Sequence, residues 1–145
     1  MEKATRSNIG VATAFQQKDA GILQLLVPLN ENWIDLIEGG DGWTPIHFAA
    51  FCTYKEHIEV IKVLAPLMKN PNSKTQLGNT PIMWAALGSP DLTICQPWHA
   101  EVVKFLAPLT DNPNAPNKNQ ETPIDVAAKL GNNEIVRILK TYVKN

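Results

Sequence analysis

Three copies of one pattern run through the 145-residue chain in phase, and a chain that repeats itself folds as a row of similar units. Thr44-Pro45-Ile46, Thr80-Pro81-Ile82 and Thr122-Pro123-Ile124 are each followed by an alanine pair: Ala49-Ala50, Ala85-Ala86 and Ala127-Ala128. A second apolar run follows in each copy, opening at Glu59-Val60-Ile61, Glu101-Val102-Val103 and Glu134-Ile135-Val136. From that Glu to the next Thr-Pro is 21 residues both times (59 to 80, 101 to 122), whereas Thr to Glu is 15, 21 and 12 (44 to 59, 80 to 101, 122 to 134). All length variation therefore falls between the alanine pair and the Glu, the behaviour of a surface turn that accepts insertions. A fourth, degenerate copy precedes these: Ile22 through Val27-Pro28-Leu29 matches Val60 through Ala65-Pro66-Leu67.

Each copy reads as two short antiparallel helices. Threonine suits the N-cap and proline the first helical position, where no backbone N–H is needed. The alanines let helices approach closely. Asp19 and Asn132 stand two residues before the second helix's anchor, as N-caps should, with His57 and His99 in the matching places. Ile135, Val136, Ile138, Leu139 and Tyr142 form an apolar stripe at helical spacing, opposite Arg137, Lys140 and Lys144. Asn70-Pro71-Asn72 and Asn112-Pro113-Asn114 are turn-rich and predict extended loops or short hairpins.

Composition narrows the partners. Thirteen basic and 14 acidic residues give a net charge of −1, without the basic footprint of a nucleic-acid or anionic-membrane binder. No apolar stretch backs the N-terminal charges, and the longest, Ile22 to Leu29, is far too short to span a bilayer. Two cysteines, Cys52 and Cys95, make no disulfide framework. A monomer in the cytoplasm or nucleus, with no cofactor, no nucleic acid and no membrane, is the expectation.

The run Thr44-Pro45-Ile46-His47-Phe48-Ala49-Ala50, with His99 to Leu106 and Gly131 to Val136, resembles the ankyrin repeat over roughly residues 9 to 145. The resemblance implies an all-α solenoid of about four helix-turn-helix units, at approximately 9–38, 39–74, 75–116 and 117–145, the outer two acting as caps. It also implies a concave groove and a role in binding another protein as scaffold, adaptor or inhibitor. Only His47 keeps the family's histidine after Thr-Pro-Ile; Met83 and Asp125 replace it, so inter-repeat bonding by that ring is expected to be incomplete. Matching loop tips to the family's contact positions gives Asp41, Trp43, Gln76, Leu77, Asn79, Lys118, Asn119 and Glu121. The ends of the first helices add Phe51, Leu87 and Lys129, where Phe51 and Leu87 form either an exposed apolar strip or ordinary core.

Catalytic motifs are missing. Gly39-Gly40-Asp41-Gly42 has no following Lys-Ser or Lys-Thr and reads as a turn, and neither Gly-x-Ser-x-Gly nor His-Glu-x-x-His occurs. The alternative to a binding module is a metal- or redox-responsive protein, because Cys52 with His57 and Cys95 with His99 lie beside matching turns and four such ligands suit tetrahedral zinc. Trp84 and Phe48 share a core-facing position, whereas Trp43 sits where the loop turns into a helix and suits either an interface anchor or simple packing of the hairpin. The segment Ser89 to Trp98 is an insertion that folds over the helices or forms an accessory contact surface. Charge is polarised between loops: the first carries Glu31, Asp35, Glu38 and Asp41 and no base, the second Lys69 and Lys74 and no acid.

Overall fold

A computed structural model describes residues 42, 44–51, 56–67, 70–88 and 97–143. The expected first unit at 9–38 lies outside the described residues. Within them stand six α-helices: α1 (Pro45–Phe51), α2 (Glu56–Leu64), α3 (Pro81–Leu87), α4 (Pro97–Leu106), α5 (Pro123–Lys129) and α6 (Asn133–Lys140). Two 3₁₀ turns, Ala65–Leu67 and Ala107–Leu109, finish α2 and α4, placing Pro66 and Pro108 where the missing backbone donor matters least.

The helices pair within each unit and again between units: α1, α3 and α5 pack as one row, α2, α4 and α6 as a second. The core lies between the rows and repeats with the sequence. Ile46 and Ile82, then Val60, Val102 and Ile135, then Leu64, Leu106 and Leu139 are all buried. Ala49, Ala50, Ala85, Ala86 and Ala127 are buried too, and their small size sets the close approach within the first-helix row. Ala128, matched to Ala50 and Ala86, is exposed. Helices of seven residues are too short to be stable alone, so burial against neighbours stabilises them.

Helix starts follow the threonine-proline rule. Thr80 takes an extended conformation and its side chain accepts from the Met83 N–H at 3.2 Å. Thr122 does the same for Asp125, whose carboxylate accepts from the Thr122 N–H at 3.0 Å and hydroxyl at 2.7 Å, closing a reciprocal box. These bonds hold the Asp125 carboxyl below the usual carboxylate range, the Thr122 side chain contributing most. α4 begins at Pro97, so Trp98 belongs to the helix rather than to the end of the insertion. Ser89 to Gln96 lie outside the described residues. Asn132 occupies the N-cap of α6 as expected, but its side chain makes no cap bond; its amide donates to the Ala86 carbonyl one unit earlier at 3.1 Å.

The connecting loops are alike. Asn70 and Asn112 each accept, through the side chain, from the N–H two residues on, at 3.0 and 3.2 Å, so Asn-Pro-Asn makes the same turn twice. The Thr75 N–H donates to the Asn79 carbonyl and the Asn117 N–H to that of Glu121, both at 2.9 Å. Left-handed backbone closes each tip: Gly42 at φ +77°, Gly78 at +81° and Gln120 at +63°. Gln120 carries a side chain there only because the position is exposed, and the strain remains. Gln120→Gly is expected to stabilise the chain by about 0.5–1 kcal/mol, the relief of left-handed strain outweighing glycine's extra unfolded freedom. Urea unfolding checks it, and a lower midpoint would contradict it.

Candidate protein-binding face

His47 joins the first helix of one unit to the following loop. The Thr44 N–H donates to its Nδ1 at 3.1 Å, which makes Nδ1 the acceptor and places the ring proton on Nε2. Nε2 therefore donates to the Ser73 carbonyl at 2.9 Å, 26 residues away. The ring is fully buried, and burial pushes its pKa down to about 4 from an ordinary 6.5, against the bonds to the Ser73 and Asn79 backbone that favour the charged form. Met83, in the same position, is buried and carries no such donor, and Asp125 serves its own helix start. The strap is therefore incomplete along the stack, as its sequence indicated.

The loop tips lean on one another. The Lys118 N–H donates to the Leu77 carbonyl at 3.0 Å, and the buried Asn117 amide donates to the Asn79 side-chain oxygen at 3.1 Å. Asn117 also donates to Glu121 Oε2 at 3.3 Å and accepts from the Asn119 and Glu121 N–H groups at 2.9 and 3.0 Å. A Cβ placed on Gly42 would meet the Gln76 nitrogen at 3.0 Å, and one on Gly78 the Lys118 nitrogen at 2.9 Å. Each loop is thus seated on the backbone of the next.

This seating sorts the expected contact residues. Gln76, Lys118, Asn119 and Lys129 are exposed, and Leu77 is 63% exposed at its loop tip. Glu121 is half-buried beside Asn117. Asn79 is different: it is only 6% exposed and its side chain is engaged by Asn117, so it braces the loops instead of facing outward. Phe51 and Leu87 are both half-buried at the ends of α1 and α3, between the two extremes of open strip and core. The Phe51 ring meets Trp84 edge-on, centroids 5.1 Å apart at 79°, a favourable aromatic geometry. Trp84 is itself half-buried against the core. Asp41, Trp43, Cys52 and Cys95 lie outside the described residues.

His57 and His99 are buried. Among the described residues no group of three or more His, Cys, Asp or Glu side chains is placed to hold a metal ion. Among the same residues no helix is long and apolar enough to cross a membrane.

Stacked helix pairs, seated loops and a repeated threonine-proline cap meet in one known architecture. A family model described as ankyrin repeats, in three copies, matches residues 11–96 and 67–145. The chain belongs to the ankyrin-repeat family. Ankyrin repeats are generally protein–protein interaction modules. No curated protein is similar enough to the chain to match it.

Proposed function

We propose that this ankyrin-repeat chain is a non-catalytic binding module that holds a protein partner against its loop tips and the ends of its first helices. Gln76, Leu77, Lys118, Asn119 and Glu121 supply the loop contacts, and Phe51, Leu87 and Lys129 the helix contacts. Asp41 and Trp43, at the matching positions of the repeat in the sequence, are further candidate contacts.

The observation that carries the reading is Leu77. A leucine is 63% exposed to water while its own carbonyl is bonded to the next loop, so the side chain is held out by rigid backbone. A fixed apolar knob among polar neighbours is the form of an interface anchor, since little entropy is lost when it is covered. The half-buried Phe51 and Leu87 offer further apolar area on the adjoining row of helix ends.

Affinity capture with the wild type, Leu77→Ala and Phe51→Ala tests this. A protein held by the wild type should be depleted roughly tenfold or more by each variant, the size of loss expected when an anchor is truncated. Circular dichroism confirms that the variants are folded. Identical captured sets from all three chains would end the proposal.

A further inference from the structure

Between the two described hairpin loops lies a cleft of about 470 Å³ whose charged lining residues are Lys74 and Lys118, flanked by Gln76, Gln120 and Pro116. The floor is stiff, because Lys118 N–H to Leu77 carbonyl and Asn117 amide to Asn79 join the loops beneath it. Lys74 Nζ rests 3.4 Å from the Pro116 carbonyl, which spans the cleft and holds its charge there.

Lys62 pairs with Glu59 at 3.0 Å; Lys104 pairs with Glu101 at 2.9 Å and Glu134 at 3.5 Å. Among the described residues Lys74, Lys118, Lys129 and Lys140 form no ion pair, and of these only Lys74 and Lys118 line a common cleft. Glu121, in the same loop as Lys118, accepts from the Asn117 amide. Two lysines therefore line one recess, and among the described residues neither is ion-paired to a carboxylate.

We propose that this cleft seats a carboxylate side chain from an acidic segment of the protein partner. The inference rests on the protein-binding reading above and adds the chemistry of what is bound. The recess has room for a few side chains and lacks the extended basic track that a nucleic-acid backbone needs. Around it the N–H groups of Gly78, Lys118, Gln120 and Asn119 already donate within the loops, which leaves few backbone donors to gather around a phosphoryl group. What remains is side-chain donors: two ammonium groups and the Gln76 and Gln120 amides, enough for the two oxygens of a carboxylate.

Amide NMR titration of the full chain supplies the test, using an alternating Glu-Ser decapeptide as probe. Its glutamine counterpart and a phosphoserine peptide of equal net charge serve as comparisons. Saturable shifts are expected at Gln76, Gly78, Lys118 and Gln120 with the Glu peptide alone, weakening as salt rises. The Lys74→Gln/Lys118→Gln double variant should bind about tenfold more weakly, with unchanged thermal stability, since both side chains are exposed. Absent or unlocalised shifts, an equal response to the glutamine peptide, undiminished binding by the double variant, or tighter binding of the phosphoserine peptide would each overturn the proposal. In the capture experiment, a partner lost by Leu77→Ala but fully kept by the double lysine variant would sink the acidic seat and leave the protein-binding reading standing.

Discussion

Gly78→Ala is expected to lower the chain's stability by about 3 kcal/mol, a fall in melting temperature of roughly 10 °C for a chain of this size. Two costs add. The first is conformational: at φ +81° an L side chain is strained by about 1–2 kcal/mol, partly offset by alanine's smaller unfolded entropy. The second is contact, because the new Cβ would stand 2.9 Å from the Lys118 backbone nitrogen. Backbone cannot rotate away as a flexible side chain can. Relief requires the loops to part, which breaks the Lys118–Leu77 and Asn117–Asn79 bonds at about 1 kcal/mol each.

Gly131 separates the two terms, since its φ is +78° but nothing lies within 4 Å of its Cβ position. Gly131→Ala should therefore cost only the conformational part, about 1 kcal/mol. Chemical denaturation of both variants gives the difference. Equal losses would mean that the loops separate freely and that their seating contributes nothing.

Acid should weaken the fold through His47 by an amount large enough to isolate, about 3 kcal/mol between neutral pH and pH 4. Its folded pKa of about 4 lies below the ordinary 6.5. Above pH 6.5 neither state holds the proton, and the contribution of the neutral ring is complete. As pH falls from 6.5 to about 4 the unfolded chain takes up a proton that the folded chain refuses, so stability declines. Below about 4 both states are protonated and the loss is full. The geometry explains the refusal: a proton on Nδ1 would point at the Thr44 N–H, which donates to that atom.

His47→Met, which copies the residue that the next unit carries in this position, removes the titration. It should be less stable than wild type at pH 7.5, because the Ser73 carbonyl loses its donor. Across the window from 6.5 to 4 its stability should fall by about 3 kcal/mol less than that of the wild type. Urea midpoints for both chains at pH 7.5, 5.5 and 4.0 measure this. Parallel pH profiles would place the acid sensitivity elsewhere.

Much of the architecture was readable because it depends on local chemistry repeated in register. Thr80 and Thr122 cap the helices that their Thr-Pro pairs announce, and every alanine of the three pairs except the exposed Ala128 lies in the core. What escaped depends on contacts between units, which no local pattern encodes. Asn79 matches an exposed family position in sequence, yet the stacking brings the Asn117 amide to within 3.1 Å and turns it inward. Asn132 sits at a cap by position, but its amide finds the Ala86 carbonyl instead. Pro97 carried a readable signal: a proline after Gln96 marks a helix start as well as one after threonine, and it would have put Trp98 in α4. The lysine cleft was half visible. Acid-free Lys69 and Lys74 marked the second loop as basic, whereas Lys118 joins Lys74 only through the seating of the tips.

The seven-residue helices carry a consequence for how such a chain meets proteolysis. Because no unit can stand without its neighbours, a single cut inside the stack strips support from both flanking pieces, and each is then digested quickly. Limited proteolysis followed by mass spectrometry should therefore find few long-lived fragments of the stack.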